Sequence, residues 1–131
     1  MHLAVNREAL TTIAEIANRY ALSKNHLMKV AYLLGQNGFI ETVRGRSGGL
    51  RLAMKPGDIF LGHVVQNMER QSVLAECFPG GKDTCLITKE CRLKSILYEA
   101  QMAFYDCLNQ YTLADLVSEN SGLEVLLKEP A

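Results

Sequence analysis

The sequence has no run approaching the roughly 18 to 20 consecutive apolar residues of a membrane span. Its opening, MHLAVNREAL, lacks the basic-then-apolar order of a secretory signal. It carries no charge excess, since 14 Lys/Arg balance 14 Asp/Glu. It also has no acid-base constellation and no cofactor fingerprint of the kind an enzyme needs. These absences point to a soluble, cytoplasmic chain without a catalytic role. Its 131 residues, 48% of them hydrophobic, suffice for one core or for a small domain plus an extension.

The zero net charge hides a polarity. Residues 1–55 hold eight Lys/Arg (Arg7, Arg19, Lys24, Lys29, Arg44, Arg46, Arg51, Lys55) against three acids (Glu8, Glu15, Glu41), and the remainder is correspondingly acidic. A basic half joined to an acidic half suggests that the first half alone meets a polyanion.

Local patterns agree. Residues 2–10 read as the end of a helix with no start, because no capping residue precedes His2. Thr12 followed by Glu15 reads as a capping box that starts a helix over Ile13–Tyr20. Ala21 and Leu22 make a turn, Ser23 caps again, and a second helix runs from Lys24 to about Asn37. Its apolar face holds Leu27, Val30, Ala31 and Leu34, and Gly38 ends it. Two helices joined so tightly form either a plain αα-hairpin or a helix-turn-helix whose second helix enters the DNA major groove. In the second case Ser23, Lys24, Asn25, His26 and Lys29 would face base edges and phosphates.

The next fifteen residues decide between them. Residues 39–44 (FIETVR) alternate as a strand, residues 45–49 (GRSGG) form a turn needing several positive φ angles, and residues 50–53 return as a second strand. A two-stranded ribbon directly after a helix-turn-helix is a wing. Arg44, Arg46 and Arg51, with Ser47 between them, are placed at its tip for sugar, phosphate or a minor groove. The glycine turn is no nucleotide cradle, because it lacks GxxxxGK[ST] and leads into a strand. Residues 1–56 are thus read as a winged helix-turn-helix domain.

Residues 57–74 read as a linking helix, with His63 on it as a surface or core residue. Residues 93–117 contain the longest periodic stretch, with Leu93, Ile96, Leu97, Ala100, Ala103, Phe104, Cys107, Leu108 and Tyr111 in three-four alternation. That stripe is too long for this small domain to bury alone, so it is expected to pack on a second copy as a dimerisation helix. Cys107 is read there as a small buried apolar residue. Thr112 with Asp115 caps a short further helix, and residues 118–131 form a weakly patterned tail free to fray. The fold class is mainly α with a small β wing.

Between the two halves lies AECFPGGKDTCLITKECRL, residues 75–93, with Cys77, Cys85 and Cys91 separated by seven and then five residues. Pro79, Gly80 and Gly81 keep this stretch out of regular helix. Three cysteines on one loop can converge on a soft metal centre. Structural zinc prefers paired CxxC spacings, which are absent. A thiol switch needs two cysteines in positive surroundings, which Lys82, Lys89, Arg92 and Lys94 could provide. An iron-sulfur cluster needs ligands on a loop long enough to wrap an inorganic core, and this spacing favours it over the switch without excluding the switch. The loop itself offers no fourth ligand.

The order of winged helix, three-cysteine loop and long helix resembles the Rrf-two family of bacterial iron-sulfur repressors. The carriers are TIAEIANRYALSKNHLMKV (Thr12–Val30), ETVRGRSGGLRLA (Glu41–Ala53), the cysteine loop and YTLADL (Tyr111–Leu116), together nearly the whole chain. The seven-and-five cysteine spacing is similar to that of an iron-responsive branch. SKNHLMKV, CRLK after the last cysteine and YTLADL are more similar to a nitric-oxide-sensing branch. A third branch has a histidine where this chain has Lys94.

The resemblance implies a homodimeric repressor bound to a palindromic double-stranded operator. It would carry a cluster, 4Fe-4S in preference to 2Fe-2S, on Cys77, Cys85 and Cys91, and release DNA on nitrosylation. It also implies a further helix before the position of His2, from which a partner subunit can supply an aspartate as fourth ligand. This chain starts after that helix.

Overall fold

The computed structural model describes residues 1–69 and 73–128 of the chain. They form two compact units, one of residues 1–59 with the segment from Thr112 onward, the other of Phe60–Tyr111.

The first unit opens with α1 (His2–Val5), which stops at Asn6 and not near residue 10 as expected. The Asn6 side-chain amide donates to the His2 carbonyl at 3.1 Å and to the Leu127 carbonyl at 3.2 Å. A short amide side chain thus does what a further turn of backbone would have done.

The capping box is present at the start of α2 (Ile13–Tyr20). The Thr12 N–H donates to the Glu15 carboxylate at 2.5 Å, and the Glu15 N–H donates to Thr12 Oγ1 at 3.2 Å. These bonds favour the ionised acid and hold the Glu15 carboxyl below its ordinary value.

The turn after α2 is made by Ala21 in the left-handed region, φ 51°. Ser23 then caps α3 (Lys24–Gln36), its Oγ accepting from the His26 N–H at 3.4 Å. At the far end Gly38, φ 76°, closes a Schellman motif, with Phe39 N–H on the Leu34 carbonyl and Gly38 N–H on the Gly35 carbonyl, both at 3.0 Å.

The wing consists of β1 (Ile40–Val43) and β2 (Gly49–Leu52), antiparallel, with Ile40 opposite Leu52 and Glu41 opposite Arg51. Its turn differs from expectation. Gly45 alone among the wing glycines has a positive φ, 117°. Gly48 is required for room, because a Cβ there would run into the Val43 carbonyl oxygen, and one on Gly49 would lie 3.0 Å from the Thr11 carbonyl oxygen. Thr11 is itself buried and exchanges bonds with Leu50, N–H to carbonyl at 3.1 and 2.8 Å. This isolated bridge fastens the entry of α2 to the wing.

After a 3-10 turn at Pro56–Asp58, the unit is completed from the far end of the chain. The Leu113 N–H donates to the Ile59 carbonyl at 2.8 Å, beginning α6 (Leu113–Val117). Asp115 accepts from the Thr112 N–H and hydroxyl at 2.6 and 2.8 Å, which lowers its pKa from the ordinary aspartate value.

The expected loose tail contains instead a helix, α7 (Ser121–Lys128); residues 129–131 lie outside the described residues. Leu127 on α7 joins Ala4, Ala17, Phe39, Ile40, Leu50, Ile59 and Leu113 in the buried core.

The second unit contains α4 (Leu61–Met68) and α5 (Arg92–Leu108). The linking helix expected over 57–74 is shorter, because Pro56–Asp58 form the 3-10 turn and Phe60 is extended. Residues 70–72 of that expectation lie outside the described residues.

Gly62 lets the two helices meet, since a Cβ there would collide with the Asn109 side chain and the Tyr105 carbonyl. Asn109 Oδ1 accepts from the His63 N–H at 3.0 Å, and the Leu61 N–H donates to the Tyr111 carbonyl at 3.0 Å. On α5, Leu97, Tyr105 and Leu108 are half-buried, whereas Leu93, Ile96 and Phe104 are 58%, 60% and 54% exposed. Cys107 falls on the open side and is exposed, not buried as the apolar pattern suggested.

Candidate functional site

In the first unit the structure presents a polar surface where the sequence placed DNA contacts. Ser23, Lys24, Asn25, His26 and Lys29 are all exposed on the first turns of α3. The early helix also presents its free amides, which favour anionic groups such as phosphate. Arg44, Arg46 and Ser47 are exposed around the wing turn.

Arg51 is placed differently from the other two arginines. It lies mid-strand on β2, ion-paired with its cross-strand neighbour Glu41, and not at the wing tip. Among the described residues Arg44, Arg46, Lys24 and Lys29 make no ion pair, so their charge stays available to a polyanion.

In the second unit the cysteine loop is irregular, as its Pro-Gly-Gly content requires. Its anchor is Phe78, the one buried apolar side chain of this unit among the described residues, set edge-on to Tyr98 of α5 at 6.2 Å. Residues 76–84 close on themselves. The Glu76 carbonyl accepts the Asp83 N–H at 2.9 Å, the Glu76 carboxylate accepts the Thr84 hydroxyl at 2.8 Å, and the Phe78 carbonyl accepts the Gly81 N–H at 2.9 Å.

Asp83 takes a left-handed φ of 48° and Gly80 one of 89°. Gly81 has no space for a side chain, because a Cβ would run into the Glu76 carbonyl. Farther along, the Cys85 carbonyl accepts from Thr88, from its N–H at 3.2 Å and its hydroxyl at 3.0 Å. Cys91 is the N-cap residue of α5.

A cleft of about 980 Å³ opens beside this loop, lined among others by Cys77, Cys91, Lys89, Lys94 and Tyr98. Cys77, Cys85 and Cys91 are free thiols and half-buried. As donors, three thiols fit a soft metal or an iron-sulfur core, and the cleft has room for one. Their placement fits in part. Cys77 and Cys91 share the cleft and Cys85 does not line it. Among the described residues no three His, Cys, Asp or Glu side chains are gathered closely enough to hold an ion.

The comparisons with known proteins agree with this architecture. A family described as "Rrf2: Iron-dependent Transcriptional regulator" matches residues 1–119. The chain belongs to the Rrf2 family. Among the relatives of this Rrf2 chain, the HTH-type transcriptional regulator NsrR of Bacillus subtilis (strain 168) is 49% identical over 119 residues, covering 91% of this chain and 82% of that protein. The NsrR of Geobacillus kaustophilus (strain HTA426) is 45% identical over 126 residues, covering 96% and 86%.

Among solved structures, T. potens IscR is similar with a TM-score of 0.69 and 25% identity, over 92% of this chain and 79% of that one. CymR (YrzC), the global cysteine regulator of B. subtilis, gives a TM-score of 0.65 and 25% identity, over 88% and 84%. The winged-helix fold and the family resemblance read from the sequence are thereby established. The Rrf2 chain is a DNA-binding transcriptional regulator with a non-enzymatic role. Among its described residues no helix is long and apolar enough to cross a membrane.

Sequence reasoning missed four residues. Thr11 gave no strand signal because its bridge is one residue long. Asn109 reads as an ordinary helix end until Gly62 is seen against it. Glu76 and Thr84 are unremarked polar residues whose meaning depends on loop closure, although each directly precedes a cysteine.

Proposed function

We propose that this regulator is a homodimeric repressor of a palindromic operator, that it carries an iron-sulfur cluster on Cys77, Cys85 and Cys91, and that nitric oxide is its effector. The observation that carries the reading is the cysteine loop itself: three free thiols, two of them on one roomy cleft, the third nearby in the chain. A bound cluster, of 4Fe-4S type in preference to 2Fe-2S, supplies iron that reacts with nitric oxide. Lys89 and Lys94 put positive charge around the cleft, and Cys91 is the N-cap residue of α5. The names of the NsrR relatives support the choice of effector.

The exposed stripe of α5 supports the dimer. Burying one Leu, Ile or Phe side chain contributes about 1.5 to 3 kcal/mol, and Leu93, Ile96 and Phe104 are all more than half exposed in the single chain. The second unit has so thin a core of its own that a second copy is the natural cover. Ser23, Lys24, Asn25, His26 and Lys29 then read bases and phosphates in the major groove, while Arg44, Arg46 and Ser47 follow the backbone, with Arg51 behind them. Because Cys91 is the N-cap residue of α5, a change in loop geometry acts on the dimer helix. That would alter the spacing of the two reading helices, which must stay near one DNA turn.

The ungathered thiols favour one second reading, a cluster-free thiol-responsive regulator. An iron-status regulator is supported by the family description. Anaerobic reconstitution followed by iron analysis separates the first two. Visible absorbance and bound iron, lost on alanine substitution of any of the three cysteines, support the cluster. A colourless, iron-free protein whose DNA binding responds only to thiol oxidation supports the switch. Operator release on iron chelation without nitric oxide supports the iron-status reading.

A further inference from the structure

The outward side of α3 carries a stripe that runs past the residues already placed at the DNA. Asn25, Lys29, Tyr32 and Gln36 are spaced four, three and four apart, which puts them on one face of the helix, and all of them are exposed. Leu27, Val30, Ala31 and Leu34 are half-buried and lie on the opposite face. Tyr32 is the odd member of the stripe, an aromatic ring 66% exposed among polar neighbours. Its oxygen accepts a hydrogen bond from Gln36 Nε2 at 2.7 Å. With a lone pair engaged in that way, the single O–H of the phenol remains free to donate elsewhere. α3 contains no Asp or Glu, so its outward face holds nothing that repels an anion.

We propose that Tyr32 donates its hydroxyl to a backbone phosphate of bound DNA, and that Gln36 is the positioning residue that holds the phenol for it. This rests on the reading of α3 as the helix in the major groove, and it names a further contact for that helix. Distance favours a phosphate over a base. At about 1.5 Å of rise per residue, Tyr32 lies about 10 Å along the helix from Asn25. The major groove is only about 12 Å wide. With Asn25 at the base edges, a long side chain that far along meets the sugar-phosphate wall. The hydroxyl is uncharged, so the contact adds affinity without displacing counterions. A ring with few side-chain torsions, already bonded at its tip, also loses little freedom when it docks.

The test follows fluorescence anisotropy of operator and scrambled duplexes with the anaerobically reconstituted full chain at several salt concentrations. Tyr32→Phe keeps the ring and removes the donor. It should weaken binding to both duplexes by about tenfold and leave the salt slope unchanged, whereas Lys29→Ala lowers the slope. Gln36→Ala should weaken binding by about threefold in the unmodified chain and have no further effect in Tyr32→Phe. Thermal melts and far-UV circular dichroism verify that each variant keeps its fold, as substitutions at exposed positions should. A loss confined to the operator would assign the hydroxyl to a base edge and overturn the phosphate contact. Gln36→Ala acting equally in both backgrounds overturns its positioning role. Unchanged affinity in Tyr32→Phe, with Asn25→Ala and Lys29→Ala still altering binding, overturns the Tyr32 contact and leaves α3 as the reading helix. No effect from any of these substitutions overturns both.

Discussion

Arg19 Nη1 donates to the backbone carbonyl of Leu126 at 2.6 Å, tying α2 of the helix-turn-helix to the last turn of α7. Asn6 does the same for the Leu127 carbonyl, so two carbonyls at the end of α7 are met by side chains of the first unit. The C-terminal helix is therefore part of that unit's core and not an appendage.

Leu127→Ala should destabilise the first unit by about 2 to 3 kcal/mol, the lower range for a buried leucine, because the helix around it is partly solvated. Leu126→Ala, at a position 67% exposed, should change stability by no more than about 0.5 kcal/mol. Urea denaturation followed by circular dichroism measures both. Equal effects would show that α7 is not seated through Leu127.

Thr12→Ala should cost about 1 kcal/mol by removing the helix cap. It should also let the Glu15 pKa rise partway toward its ordinary value, because the side-chain bond is lost while the residue-12 N–H, the larger cause of the depression, still donates to the carboxylate. A depressed carboxylate stabilises the folded state above its unfolded pKa and loses that contribution as pH falls through the folded value. The unmodified chain should therefore lose a small stability increment below about pH 4.5 that is smaller in the variant. NMR titration of the Glu15 carboxyl, alongside denaturation at several pH values, checks the sign.

The wing turn offers a steric contrast. Gly48→Ala forces a Cβ into the Val43 carbonyl and should cost about 1 to 3 kcal/mol, with a matching loss of operator affinity. Gly57→Ala, where the space is open, should stay within about 0.5 kcal/mol. Thermal melts of the two variants side by side decide it.

For DNA recognition, Arg46→Ala should weaken binding to all duplexes and reduce the salt slope by about one. Asn25→Ala or His26→Ala should instead change which sequences are preferred. Arg51→Ala should have a smaller effect on the salt slope than Arg46→Ala, since Glu41 already pairs with Arg51. Fluorescence anisotropy with operator and scrambled duplexes at several salt concentrations distinguishes these cases. An unchanged Arg46→Ala curve would argue against the wing as a DNA contact.

Local chemistry made much of the fold legible. The Thr12–Glu15 box, the Ser23 cap and Gly38 each act within four residues, so their types alone placed α2 and α3. The alternation of residues 39–44 gave β1 for the same reason. What escaped depended on distant partners. Asn6 ends α1 partly through Leu127, more than a hundred residues away. In α7 the run Val125, Leu126, Leu127 blurs helical periodicity, and only burial shows that Leu127 is the inward residue.

The same divide holds at the candidate site. Cysteine spacing announced a thiol loop, and exposure of the early α3 residues agrees with the expected DNA face. Arg51 could not be placed without strand register, and Cys107 could not be read as open without knowing which side of α5 packs on α4.

Operator binding, on the proposed mechanism, depends on a cluster held by Cys77, Cys85 and Cys91 and is released by nitric oxide. Titrating nitric oxide into anaerobically reconstituted protein, while following visible absorbance and operator anisotropy in the same sample, tests it most directly. Cluster absorbance and DNA binding should be lost together, at the same ratio of nitric oxide to protein. Loss of absorbance with operator affinity unchanged would contradict the mechanism.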